Sequence, residues 1–164
     1  MKEILVVDES AHPPDGKPRL ARRFPAILRL LLLRAARKFF ASRPCSVSFI
    51  LIDDIRTRRL NRKYLSRAGT TDVIAFYYDD NPASRNIEGD VFINIRQAAA
   101  QCPDEDDFDK AVEKEIFLLA VHGLLHLAGY DDHGAARKAR MWRMQNRIVR
   151  GIFPKVSRIQ VADK

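Results

Sequence analysis

One segment, residues 116–128, is almost wholly apolar and constrains the fold more than any other part of the chain. It reads Ile-Phe-Leu-Leu-Ala-Val-His-Gly-Leu-Leu-His-Leu-Ala and contains no Asp, Glu, Lys or Arg. A helix that is apolar on every side has to be covered on every side by other elements. Gly129 follows directly, which favours a helix end at this point. The segment therefore predicts a buried central helix that the other elements surround.

The length limits how much can surround that helix. The chain has 164 residues, and domains commonly have about 100–200 residues, so we predict a single domain over residues 1–164. The early apolar run Leu30–Leu33 lies between Arg29 and Arg34 and is far shorter than the about 20 residues of a membrane span. Residues 1–8 contain acidic side chains, which does not fit a signal peptide. We expect a cytoplasmic protein outside the membrane.

Hydrophobic periodicity, β-branched runs and capping residues place the remaining elements. Pro25 is expected to mark the first turn of the first helix, and Asp53 and Asp54 to cap the second. The acidic residues from Asp104 to Asp109 suit the first turn of the central helix. The predicted strands are residues 3–8, 46–52, 71–77 and 89–95, and the other predicted helices are residues 19–40, 55–64 and 135–149.

The charge of the chain indicates a polyanionic partner. Its 29 Lys and Arg residues exceed its 21 Asp and Glu residues, for a net charge of +8. Residues 17–71 carry fifteen of the basic side chains against only Asp53 and Asp54. The basic helices in this region have two interpretations, which are solvated faces with long side chains and a surface that contacts RNA.

Three of the four histidines fall in one short window, at positions 122, 126 and 133. The spacing of four places His122 and His126 on one helix face, where their imidazoles can bind a single metal ion. The turn after Gly129 can return His133 toward the same ion. Three histidines with an open fourth position are typical of catalytic zinc, although nickel and copper also suit such ligands. The alternative is a pair of hydrogen-bonded core histidines.

The residue after the first histidine excludes one class of metalloenzyme. Zincin proteases place a Glu general base immediately after that histidine, whereas this chain has Gly123.

The window from His122 to His133, His-Gly-Leu-Leu-His-Leu-Ala-Gly-Tyr-Asp-Asp-His, closely resembles the signature of the YbeY family of rRNA maturation factors. Leu-Asn-Arg-Lys-Tyr at 60–64, Thr-Asp-Val-Ile-Ala-Phe at 71–76 and Gly-Asp-Val-Phe-Ile at 89–93 match the same family in the same order.

The resemblance implies a fold, an activity and a set of ligands. The fold is α+β, with a mixed sheet, helices around it and a metal in a cleft. The activity is that of a zinc-dependent, single-strand-specific endoribonuclease in ribosomal RNA maturation and ribosome quality control. His122, His126 and His133 would bind one Zn²⁺ ion. The expected partners are single-stranded or ribosomal RNA and the ribosome or its proteins.

The chain departs from the family pattern at two places. Many members have a shorter Gly-Tyr-Asp-His turn, so Asp131 or Asp132 becomes a conceivable ligand or ligand partner. Many members also carry an Arg, implicated in nuclease activity, where this chain has Leu65. Arg67 is the candidate substitute, with Arg62 and Lys63 as further possibilities. The alternative function is a non-catalytic rRNA- or ribosome-binding assembly factor with a structural metal site.

Asp72 has two interpretations at the sequence level. One places its carboxylate beside the cleft at the start of a strand. The other, which we favour, is a turn in which the side chains of Thr70, Thr71 and Asp72 bond backbone groups.

Overall fold

A four-stranded mixed sheet forms the framework of the computed structural model, which describes residues 2–10, 23–78, 85–102 and 106–152. The strands are β1 (Lys2–Asp8), β2 (Cys45–Ile52), β3 (Val73–Tyr77) and β4 (Ile87–Asn94). They lie in the order β1-β2-β4-β3, with β1 parallel to β2, β2 parallel to β4 and β3 antiparallel to β4. The α+β class with a mixed sheet is confirmed.

Five helices accompany the sheet within the described residues: α1 (Phe24–Phe39), α2 (Asp54–Tyr64), α3 (Ile95–Ala100), α4 (Phe108–Leu127) and α5 (Ala135–Ile152). No helix in these ranges is both long and apolar enough to cross a bilayer. The predicted start of the first helix at residues 19–22 lies outside the described residues, as do Asp104 and Glu105 of the acidic cluster.

Local capping explains several helix starts. Pro25 lies in the first turn of α1, as predicted. The Asp53 side chain accepts a hydrogen bond from the Arg56 N–H and caps α2. The short helix α3 was not predicted, although its signal is present, because the Asn94 side chain accepts from the N–H groups of Arg96 and Gln97. A capping residue at the end of a strand therefore starts a helix that periodicity does not detect.

Helix α4 is the buried centre of the fold, as its composition predicts. Eleven of its residues are buried, among them Ile116, Phe117, Leu124 and Leu125. It packs on β3 and β4 and also contacts α1, α3 and α5. The burial of these apolar side chains stabilises the core, since burying a Leu, Ile or Phe side chain contributes about 1.5–3 kcal/mol.

The sheet separates α4 from α2. Successive strand residues point to opposite faces, and Val91 of β4 lies against α4 at Gly123. The next residue, Phe92, contacts Phe76 edge to face, and Phe76 contacts Tyr64 of α2 in the same way. Helix α2 therefore covers the face of the sheet opposite to the one that α4 covers.

Gly123 allows α4 to approach the sheet closely. A Cβ atom built at this position would lie 2.4 Å from Cγ1 of Val91 and 3.1 Å from Cγ2 of the same side chain. A methyl group cannot occupy that space unless the helix or the strand moves. The glycine is therefore required by packing, although glycine is intrinsically unfavourable inside a helix.

We expect Gly123→Ala to destabilise the protein. Alanine should gain about 0.8–1.0 kcal/mol in helix propensity, whereas overpacking a tight core costs about 1–3 kcal/mol. Urea unfolding followed by circular dichroism measures the difference. Val91→Ala removes both clashing methyl groups, so the double variant should be more stable than the sum of the two single effects predicts. A Gly123→Ala protein as stable as wild type would show that the packing against Val91 is loose.

Candidate metal centre

The candidate site begins where α4 ends. Gly129 has a φ of 88°, a left-handed conformation that glycine adopts without strain. Its N–H donates to the His126 carbonyl, and the Tyr130 N–H donates to the Leu125 carbonyl. These two bonds form a Schellman motif, which ends the helix and turns the chain back. The following residues, 131–133, consequently lie beside the last turns of α4.

His122 and His126 form the centre of the site. Their Nε2 atoms are 3.1 Å apart, and their ring centroids are 4.7 Å apart. Two ligands of a tetrahedral ion with metal–nitrogen distances of about 2.0–2.1 Å are separated by about 3.3 Å. The side chains are 29% and 32% exposed, so one end of each ring is packed and the other is accessible. The predicted pairing on one helix face is present.

Neighbouring groups hold both rings. The Nδ1 of His122 lies 3.1 Å from Oε1 of Gln145, a buried side chain of α5. With the amide oxygen facing the ring, Nδ1 is the donor, and this tautomer leaves the Nε2 lone pair of a neutral His122 available to a metal. The His126 ring hydrogen-bonds the backbone of Tyr130. Such bonds to the outer nitrogens orient metal-binding imidazoles.

The pKa of His126 lies below its ordinary value. Burial is the main cause, because it disfavours the charged imidazolium, and repulsion from a protonated His122 would act in the same direction. The Asp132 carboxylate and the bond to Tyr130 oppose the shift but do not cancel it. His126 is therefore predominantly neutral at pH 7, which is the form that binds a metal.

Asp132 completes a group of three possible ligands with the histidine pair. Its Oδ2 atom lies 3.8 Å from Nε2 of His122 and 3.9 Å from Nε2 of His126. The two Nε2 atoms are 3.1 Å apart, and a circle drawn through them and the Asp132 Oδ2 atom has a radius of about 2.1 Å. That radius equals an ordinary zinc–ligand distance. An ion at the centre of this circle would lie in the plane of its three ligands, so a tetrahedral ion requires the Asp132 carboxylate to move about half an ångström closer to the histidine nitrogens.

His133 lies outside that group. Its side chain is 81% exposed, and its Nδ1 lies 2.6 Å from Oδ1 of Asp131. The same carboxylate accepts the His133 N–H and pairs with Arg137 at 2.7 Å, and these contacts hold its pKa below the ordinary value. The structure thus brings His122 and His126 together and leaves His133 in a second group with Asp131 and Asp132. Its role as a ligand stays a prediction.

Gly123 gives a structural reason for the absence of a protease-type base. A side chain at this position would meet Val91 of the sheet rather than the space beside the histidines. A general base cannot be supplied from the residue after His122 while α4 keeps this packing. The exclusion of a zincin-type site therefore follows from geometry as well as from residue identity.

The remaining predicted residues have other surroundings. The Asp72 carboxylate accepts from the Val73 N–H, as the turn interpretation predicts, and also from the Thr71 hydroxyl and the Gln101 amide. Arg67 is exposed in the segment after α2, and its backbone N–H donates to the Asn61 carbonyl. Its catalytic role stays a prediction. Leu65 is also exposed and forms the C-cap of α2.

The sequence pattern did not identify Gln145 as part of the site. This residue is 5% exposed within an otherwise basic, amphipathic helix. A signal existed, because Gln145 occupies the buried face of α5 between Met141 and Ile148. A polar residue at an apolar position predicts a buried partner, but the pattern does not say which one.

Comparison with known proteins places these features in one family. The family model described as Endoribonuclease YbeY matches residues 17–152. An Endoribonuclease YbeY of Heliobacterium modesticaldum is 30% identical and aligns with 90% of this chain and 94% of its own length. That of Salinibacter ruber is 35% identical over 66% of this chain and 71% of its own length.

A solved structure supports the fold independently. The solution structure of a Thermotoga maritima protein superimposes with a TM-score of 0.61 and covers 93% of this chain and 90% of its own chain, at 21% identity. The family match over residues 17–152 and the near full-length relative lead to one conclusion. This chain belongs to the YbeY family.

Proposed function

We propose that this protein is a zinc-dependent endoribonuclease that cleaves single-stranded RNA and acts in ribosomal RNA maturation in the cytoplasm, in association with the ribosome. The observation that carries the proposal is the pair of Nε2 atoms 3.1 Å apart at the end of a buried helix, in a chain that belongs to a family described as endoribonucleases. His122 and His126 hold the ion together with a residue of the 131–133 turn, the place that the resemblance assigns to His133.

The protein's residues have defined roles around the ion. When bound, zinc supplies Lewis acidity toward a phosphoryl oxygen or a water molecule. Gln145 and the backbone of Tyr130 orient the two imidazoles. Arg140 lies over the Tyr130 ring, with its guanidinium carbon 5.5 Å from the centroid. Its positive charge therefore lies next to the turn, where it can attract a phosphate.

Helix α2 offers a surface for the RNA backbone. Its exposed basic face consists of Arg58, Arg59, Arg62 and Lys63. Several of these like charges are three or four residues apart, and such pairs destabilise a helix by a few tenths of a kcal/mol each. A polyanion removes that repulsion on binding. Tyr64, with a half-exposed ring, adds an aromatic surface at the end of the same helix.

The positions of α2 and α4 favour a flexible substrate. The two helices cover opposite faces of the sheet, and β3 is the edge strand next to both. An RNA that contacts the basic face of α2 and the histidine pair together has to bend around this edge. A single strand can bend in this way, whereas an A-form duplex is a stiff, regular helix. This supports a single-strand preference.

Metal removal should abolish cleavage of single-stranded RNA. Chelator-treated protein is expected to lose activity, and Zn²⁺ should restore it, because the ion supplies the Lewis acidity. The assay follows a fluorescently labelled oligonucleotide without secondary structure. A duplex of the same sequence is the control and should remain intact. Cleavage that is unaffected by chelation would contradict the proposal.

His126→Ala separates the enzyme from the alternative function, a non-catalytic rRNA-binding assembly factor with a structural metal. For an enzyme, we expect the cleavage rate to fall by at least about 100-fold, because replacing even a residue that only contacts a metal ligand costs about 10–100-fold in activity. The affinity for RNA should be nearly retained. Gel-shift and cleavage assays on the same preparation measure both. If wild type binds RNA with salt-sensitive affinity but does not cut it, the assembly-factor interpretation replaces the nuclease.

Replacing Arg59 and Arg62 with Ala together should weaken RNA binding and its salt dependence. The slope of log affinity against log salt should fall by about 0.7 for each phosphate of a single strand that the variant no longer neutralises. The matched control is Arg34→Ala with Arg37→Ala, which removes the same charge from exposed positions on α1. An equal decrease in both double variants would indicate that only net charge matters and that α2 is not the RNA surface.

A further inference from the structure

The turn after α4 carries two adjacent carboxylates, and they have different environments. Asp131 is engaged locally, because its oxygens bond His133 and Arg137. Asp132 is oriented the other way, with Oδ2 at 3.8 and 3.9 Å from the two Nε2 atoms of the histidine pair. Because α4 ends in a Schellman motif, Asp132 is returned over the last turns of the helix.

The positions of Asp132 and His133 indicate which of them reaches the ion. Within the part of the chain that the structure describes, the only candidate ligand group that includes both histidines of α4 has Asp132 as its third member. The side chain of His133 is 81% exposed, against 40% for Asp132. The bond between the Asp131 carboxylate and the ring of His133 would have to break before that ring could turn toward α4.

We infer that Asp132, and not His133, supplies the third protein ligand to the ion, so that the centre consists of His122, His126 and the Asp132 carboxylate. The inference rests on the metal dependence proposed above. The other carboxylate oxygen of Asp132, Oδ1, lies 3.7 Å from Nδ1 of His133. At that distance the two side chains are neighbours without a hydrogen bond, because the Nδ1 atom of His133 is bonded to Asp131 instead.

The carboxylate changes what the site binds. Two neutral imidazoles and one carboxylate cancel one of the two positive charges of the ion, whereas three imidazoles cancel none. Two histidines with one carboxylate also suit zinc in hydrolases and iron(II) in other enzymes. The extra aspartate in this turn therefore exchanges a nitrogen ligand for an anionic oxygen ligand rather than merely lengthening a loop.

Metal titration of the full-length apoprotein tests the assignment without any RNA. Zn²⁺ is titrated by calorimetry, and Co²⁺ by its visible absorption, which reports the coordination geometry. Asp132→Asn keeps the size of the side chain and removes its charge. We expect this substitution to weaken Zn²⁺ binding by more than about 100-fold and to change the Co²⁺ spectrum. Replacing a residue that only contacts a ligand costs about 10–100-fold in metal affinity, and the loss of a ligand should cost more.

Two further variants serve as matched controls. His133→Asn should weaken Zn²⁺ binding by no more than about 10–100-fold and leave the Co²⁺ spectrum unchanged. Asp131→Asn should behave similarly, because its contacts are with His133 and Arg137. Circular dichroism of each apoprotein checks that the fold is intact.

The outcomes distinguish this inference from the proposed function. A larger decrease in affinity for His133→Asn than for Asp132→Asn, or equal large decreases in both with altered spectra, would overturn the assignment of Asp132 as the sole third ligand. In those cases the metal-dependent nuclease still stands. Wild-type protein that binds neither Zn²⁺ nor Co²⁺ would overturn both.

Discussion

The close packing of α4 against the sheet is the constraint on which the site depends. Gly123 lies against Val91 at a distance that leaves no space for a Cβ atom. His122, the preceding residue, is consequently held beside this contact and against Gln145 of α5. A larger residue at position 123 would clash with Val91 and shift the segment that carries His122. The packing of Gly123 in the core therefore also determines where the side chain of His122 lies.

Burial also favours the neutral form of His126, which is the form that can bind a metal. A ring packed in the core loses solvation, which lowers the pKa of His126 and keeps it neutral. Neutral imidazoles expose a lone pair, whereas a fully solvated histidine is partly protonated near pH 6.5. The nearby Asp132 carboxylate places a negative charge beside the pair, where a divalent ion could bind. The half-buried histidines offer nitrogen atoms, and the more exposed carboxylate offers a negative charge.

The sheet lies between the histidine pair and the basic face of α2. Helix α4 and its histidines lie on one face, and the basic face of α2 lies on the other, with β3 at the edge between them. Helix α5 adds exposed arginines on the side of the histidines. Positive charge consequently lies on both sides of the sheet rather than forming one continuous surface around the site. This arrangement suits a polyanion that can follow a bent path.

Much of the fold was predictable because its causes are local. The apolar composition of residues 116–128 predicts the burial of α4, and the spacing of His122 and His126 predicts their pairing, since both depend on residues within about one helical turn. Gly129 and Asp53 mark helix ends by the same short-range geometry. Periodicity overlooked α3, because six residues are too few to show a period. The sequence by itself thus determined which helix is buried, which two histidines share a face and where the chain turns back.

The tertiary structure decided the strand order, the contact between His122 and Gln145, and the return of Asp132 rather than His133 to the pair. These features depend on the path of the backbone between segments that are distant in sequence or joined by a turn. Such a path is set by packing of the whole core, which no local pattern of residues specifies.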